Sequence, residues 1–222
     1  MPATPPPPSH PTPNTARPKE RELAQWNERF DRANYWFGTE PTPFLKEQAH
    51  RLKPGMTALA IADGEGRNGV WLARQGLKVT SVDLSPKGIA KAQQLAKRSG
   101  VEIETICADL ESWDWGAPRF DLVVGILFQF AGPAWRDGIF RQMKDVLKPG
   151  GLVMIQGYRP EQIAYGTGGP PFVENLYTAE LLRAAFAECE ILHLAEYDRE
   201  QPEGMQHRGG LSALIDMVAR KR

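Results

Sequence analysis

The sequence predicts an α/β fold: an open, doubly wound, mostly parallel sheet of seven strands with an antiparallel hairpin at its C-terminal end. Three observations predict it. Short apolar runs alternate with stretches of helical periodicity from Thr57 to Phe186. The first apolar run leads into a glycine-rich turn, and the second ends on an acid, Asp83. The last two runs, Ile191 to Tyr197 and Leu211 to Val218, are joined by turn-forming residues rather than a helix.

Met1 to Pro18 is rich in proline, threonine and serine, with four prolines in a row from Pro5 to Pro8. Such a stretch buries too little apolar surface to offset its ordering entropy, so 1–18 reads as a disordered tail of polyproline II character. Residues 19–222 read as one domain. Leu23, Trp26 and Phe30 form one apolar helical stripe. The aromatic cluster Tyr35-Trp36-Phe37 follows, either capping the core or covering a ligand. Thr42-Pro43 has the form of a helix start, with Thr42 as cap and a helix to about Leu52.

Thr57 to Ala62 is an unbroken apolar run, the pattern of a strand buried on both faces. Asp63-Gly64-Glu65-Gly66-Arg67-Asn68-Gly69 imposes a turn, because glycine takes positive φ freely. Val70 to Gln75 is helical, and Gly76 stops it. Lys78 to Asp83 is the second strand. Ser85 and Pro86 then start a helix running to about Ser99. Glu102 to Cys107 is a third strand and Asp121 to Leu127 a fourth. Trp135 to Leu147 is a helix, with Lys148-Pro149-Gly150-Gly151 as its stop, and Leu152 to Gly157 a fifth strand. The long glycine- and proline-rich loop from Tyr158 to Tyr177 has the length of a functional or disordered loop. Thr178 caps one more helix.

Charge excludes some functions. Lys+Arg and Asp+Glu each number 27, which gives no electrostatic basis for nucleic-acid binding. No apolar run approaches the ~20 residues that span a bilayer, and the N-terminus lacks the apolar region of a secretory signal. A cytoplasmic protein is the expectation. Cys107 and Cys189 read as buried free thiols in a reducing compartment. His193 and His207 read as satisfied or solvated histidines. No Ser-His-Asp, Cys-His or metal-spaced cluster stands out, so no catalytic residue is named.

A βαβ unit with a glycine turn and an acid at the second strand's tip binds an adenosine-bearing ligand. Backbone N–H groups face the ligand and the carboxylate takes the ribose hydroxyls. With Asp109, Phe120-Asp121-Leu122-Val123-Val124 and Leu147-Lys148-Pro149-Gly150-Gly151, the pattern resembles class I S-adenosylmethionine-dependent methyltransferases of Rossmann-like fold. Gly64-Glu65-Gly66-Arg67-Asn68 is most similar to the turn of the TehB-like small-molecule methyltransferases. The resemblance implies S-adenosylmethionine as cofactor. It implies that Gly64 and Gly66 hold the methionine part, Asp83 the ribose, Leu84 and Leu110 the adenine face, Asp109 the adenine amino group, and Ile126, Leu127 and Phe128 the methyl-donor end. Ala62 and Arg67 are counted with the cofactor residues, with a surface ion pair as the competing reading of Arg67. Where the family holds an acid and a glycine, this chain has Ala60 and Ala62, and Asp63 stands beside the turn.

Partners follow from the same resemblance: a small-molecule acceptor, possibly a thiol or chalcogen oxyanion, with no nucleic acid and no membrane. Its pocket is expected between Tyr35-Trp36-Phe37, the loop after Gly125, and Tyr158 to Tyr177. Two other readings stay open. Gly64-x-Gly66-x-x-Gly69 with Asp83 also fits a nicotinamide-dependent oxidoreductase, though no Tyr-x-x-x-Lys pair follows. A degenerate cofactor-binding module is the non-enzyme alternative.

Overall fold

The computed structural model describes residues 19–203 and 208–222. The expected tail and His207 lie outside them. Seven strands form one sheet in the order β3-β2-β1-β4-β5-β7-β6. They are β1 (Thr57–Ile61), β2 (Lys78–Asp83), β3 (Glu104–Cys107), β4 (Phe120–Ile126), β5 (Leu147–Tyr158), β6 (Glu190–Glu203) and β7 (Arg208–Arg220). β1 to β5 pair in parallel, and β7 runs antiparallel between β5 and β6. The helices are α1 (Lys19–Phe30), α2 (Pro43–Glu47), α3 (Arg67–Arg74), α4 (Pro86–Arg98), α5 (Pro133–Asp145), α6 (Gln162–Tyr165) and α7 (Ala179–Ala185).

Alternate residues along each central strand serve opposite faces. Val123, Val153, Ile155 and Met217 pack with Phe140, Tyr177 and Phe186 beside α5 and α7. Leu122, Val124, Met154 and Val218 pack with Phe44 and Leu72 of α2 and α3. Double-sided burial explains why these strands read as continuous apolar runs. Truncating one such ring to alanine costs about 3–5 kcal/mol, whereas an exposed ion pair such as Lys46–Glu40 contributes ~0–1. The sheet faces, not the surface charges, hold the fold.

Local rules placed several ends well. Ser85 Oγ accepts from Gly88 N and Thr178 Oγ1 from Leu181 N, as N-caps do. The rings of Trp113 and Trp115 lie 5.1 Å apart, tilted at 46°, and Trp115 Nε1 donates to Leu110 O.

Other expectations are corrected. Thr42 makes no side-chain cap, and its backbone N–H donates to Asn68 Oδ1 instead. Its helix is one short turn, with a 3-10 turn at Ala49–Arg51. Lys148 to Gly151 is not a plain stop. Leu147 already pairs with Phe120, and the four residues bulge before Leu152 pairs with Leu122. The terminal strands extend well into the expected turn, because cross-strand pairing continues through Arg199↔Ser212 and Gln201↔Gly210. Cys189 is buried, but Cys107 is exposed at the end of edge strand β3. Its predicted burial assumed a neighbour on each side, and β3 has only β2.

A candidate cofactor site at the sheet's switch point

The strand order reverses direction between β1 and β4, and the carboxyl ends of β1 to β4 open on one recess there. Its space is about 820 Å³ with the open solvent at its mouth included. Ala62, Gly64, Arg67, Asp83, Leu84, Asp109, Leu110 and Ile126 all border it. Leu127 and Phe128 border it too, so of the eleven residues expected there Gly66 alone does not. Gly66 has φ +85°, starts α3, and lies so close to α4 that a Cβ would sit 2.6 Å from Ala92 Cβ. It serves helix packing.

Asp83 is buried at the tip of β2. Its two carboxylate oxygens accept from Gly64 N and Ser85 N, both at 2.8 Å. Each oxygen keeps a lone pair, so a pair of vicinal hydroxyls could still donate to it. Asp109 lies two residues beyond Cys107, which is paired beside Asp83. Its Oδ1 accepts from Glu111 N, and its Oδ2 pairs with Lys19 Nζ at 2.8 Å. Lys19 stands where an exocyclic amine was expected. Apolar Leu84, Leu110 and Ile126 flank the space between the two acids. This donor set fits an adenosine-bearing group.

The backbone is strained where it borders this space. Ala62, just past β1, has φ 47°, and Leu127, just past β4, has φ 54°. Such conformations persist where the surrounding structure over-determines them, and they cluster at ligand sites. The Ala62 conformation is one that glycine adopts without cost.

Asp63 also borders the recess, but its carboxylate is engaged by the fold. Its carboxylate accepts from Gly69 N and from Ser81 Oγ at 2.9 Å. It ties the start of α3 to β2. Arg67 is no surface ion pair: its Nη1 donates to Phe37 O and its guanidinium lies 5.3 Å from the Phe37 ring. Burial pulls its pKa down, opposed by Asp63, Tyr158 and Glu65.

Sequence reasoning missed two features. Glu65 is buried, accepts from Trp36 N and Phe37 N, and pairs with Lys91. Lys91 Nζ also donates to the carbonyls of Arg32 and Asn34. This pair pins the aromatic segment to the glycine turn, and nothing in the spacing of 65 and 91 foretold it. The second is α1. Phe30 stacks on Trp26 and lies under Gly64, and Trp26, Phe30 and Phe37 all border the recess. The apolar stripe of α1 was legible, and its two rings were the available signal. Ser85 Oγ donating to Asn27 Oδ1 and the Lys87–Asp31 pair hold the helix there.

Three buried acids shape the pH response. Burial raises Asp63 to about 7, Asp83 to about 6 and Asp216 to about 6. An acid raised in the fold binds protons that the unfolded chain has released, so stability falls as pH climbs from about 4 to about 7. The melting temperature should drop by roughly 5 °C or more between pH 5 and pH 8. Asp63→Asn should flatten that slope, and equal slopes in thermal scans would refute it. Glu40 and Glu188, held low by Lys46 and Lys144, act only at more acidic pH.

Residues 58–151 match a family model described as a methyltransferase domain. An uncharacterised methyltransferase of Synechocystis is 30% identical over 111 residues, 49% of this chain and 50% of the relative. The chain thus matches about half the length of that relative. The fold of the domain is also that of TehB from Haemophilus influenzae, at TM-score 0.69, 21% identity, 84% of this chain and 64% of TehB. The N-methyltransferase NodS of Bradyrhizobium japonicum, solved with S-adenosyl-L-homocysteine, aligns at TM-score 0.66, 16% identity, 90% of this chain and 97% of NodS. These likenesses are of fold, over a domain whose own sheet has seven strands. Among the described residues no group of acids, histidines and cysteines could hold a metal ion. No helix among them is long and apolar enough to cross a membrane.

Proposed function

We propose that the chain transfers a methyl group from S-adenosylmethionine to a small-molecule acceptor by in-line displacement. One observation carries this reading: Asp83, Gly64, Leu84 and Leu110 surround a single recess that continues, past Leu127 and Phe130, into a second and wider cleft. Asp83 would take the ribose hydroxyls, and Leu84 and Leu110 would sandwich the adenine. Ala62, Gly64 and Arg67 would meet the methionine part, with the guanidinium of Arg67 toward its carboxylate. Ile126, Leu127 and Phe128 would border the reacting end.

When bound, the cofactor supplies a methyl group on a sulfonium that leaves as a neutral thioether. The chain then needs only to align nucleophile and methyl and to exclude water. Positioning of this kind can supply several kcal/mol of the barrier. Phe37, Phe128 and Phe130 make the wall between the two spaces apolar. An acceptor ionised on its own, a thiol or chalcogen oxyanion, requires no general base. The even charge balance favours a small molecule over nucleic acid.

Calorimetric titration tests the reading. S-adenosylhomocysteine should bind and NADH should not. NADH binding in its place would favour the oxidoreductase reading. Cofactor binding without turnover on any acceptor would favour a degenerate module.

A further inference from the structure

Resting on the methyl-transfer reading above, we infer that the acceptor is a flat, ring-bearing thiol, its thiolate charge spread over the ring, seated in the outer cleft. The cleft is wide, about 3130 Å³ against 820 Å³ for the recess, both counted to their open mouths. A bare oxyanion or a two-carbon thiol leaves most of it empty. Each of its three walls presents rings: Trp36 and Phe37 after α1, Phe130 and Trp135 after β4, Tyr158 and Phe172 after β5. Phe130 and Trp135 stand 5.2 Å apart at 52°. Ring faces set around a cleft favour a planar, apolar guest.

Charge selects against a compact, strongly hydrated anion. Lys19 is engaged by Asp109 and Glu111, and Arg29 lies over the Trp26 ring. The same edge carries Glu22. An oxyanion lodged among the rings would lose its hydration with no cation cluster to replace it.

Leftover hydrogen-bonding capacity in the walls is neutral. The indole N–H groups of Trp36 and Trp135 and the amide oxygen of Asn175 are buried with no protein partner. Buried polar atoms without partners call for an explanation, and a polar substituent on a bound ring supplies one.

The nucleophile follows from what borders the two spaces. Among the described residues no histidine lies on either, and of the two acids shared by both, Asp109 is paired with Lys19 and Glu22 is also engaged by a partner. An aromatic thiol needs no base, since the ring delocalises its charge and it gives its proton to water near neutral pH. Its thiolate pair then forms the new S–CH₃ bond. The sulfonium C–S bond breaks, and its pair returns to the donor sulfur.

The test starts from S-adenosylhomocysteine affinity by calorimetry; no binding removes the parent reading and this inference with it. With binding established, methylation of 4-nitrothiophenol is followed beside 2-mercaptoethanol and sodium selenite. We expect kcat/KM for the aromatic thiol to exceed that for 2-mercaptoethanol by about 100-fold. Trp36→Ala and Phe172→Ala, which border the outer cleft only, should each cut it roughly tenfold while S-adenosylhomocysteine affinity stays within about twofold. Selenite or 2-mercaptoethanol turned over as well as the aromatic thiol, no turnover of the aromatic thiol, or unchanged kinetics in both variants would overturn the inference and leave the cofactor reading standing.

Discussion

Asp83→Asn should bind S-adenosylhomocysteine roughly 10- to 100-fold more weakly than the parent protein. Hydrogen bonds to a charged acceptor are each worth about 1.5–3 kcal/mol, and the ribose would make two of them. Asparagine keeps the size of the side chain and one oxygen for Gly64 N or Ser85 N, so the turn should persist. A melting temperature within a few degrees of the parent would separate lost affinity from lost fold. The pH response has a definite sign. Burial raises Asp83 to about 6, so cofactor affinity should strengthen as pH rises through 6 and the carboxylate ionises. Calorimetry at pH 5 and pH 8 reads this directly, and equal affinity of variant and parent at pH 8 would remove Asp83 from the site.

The second large effect is on stability. Glu65→Ala should cost about 3–5 kcal/mol, because it leaves the Lys91 ammonium in a nearly closed site without its counter-ion. Lys91 and Glu65 side chains are only 10% and 1% exposed. The backbone N–H groups of Trp36 and Phe37 would lose their acceptor in the same step. Adding Lys91→Met should recover much of the loss, since it removes the stranded charge and fills similar volume. Urea denaturation of the single and double variants measures both quantities. A single-variant loss below about 1 kcal/mol would mean that solvent reaches the pair.

The strands, most helices and the hairpin could be read from one dimension because their signals are local. Two-sided burial of β1 and β4 writes continuous apolar runs, and Ser85-Pro86 writes its own helix start. The site was legible to the same extent. Gly64, Asp83 and Asp109 sit at strand ends, and strand order alone brings such ends together. The misses share a cause. Spacing put Gly66 in the turn but could not tell that its Cα packs against Ala92 of α4. Thr42 stands at the N-cap without a side-chain bond, and its own N–H is taken by Asn68, 26 residues away. Asp109 gained Lys19 as a partner from the far end of the domain.

By itself, then, the sequence determined the alternating α/β architecture, the glycine turn after the first strand and the acids Asp83 and Asp109 at later strand ends, because periodicity and turn chemistry act over a few residues. Only the tertiary structure decided that α1 lies over the recess, that Glu65 and Lys91 clasp the aromatic segment, and that rings from three separate loops face one cleft. Those arrangements depend on pairings between residues dozens of positions apart, whose energies exist only once the sheet has brought them into contact.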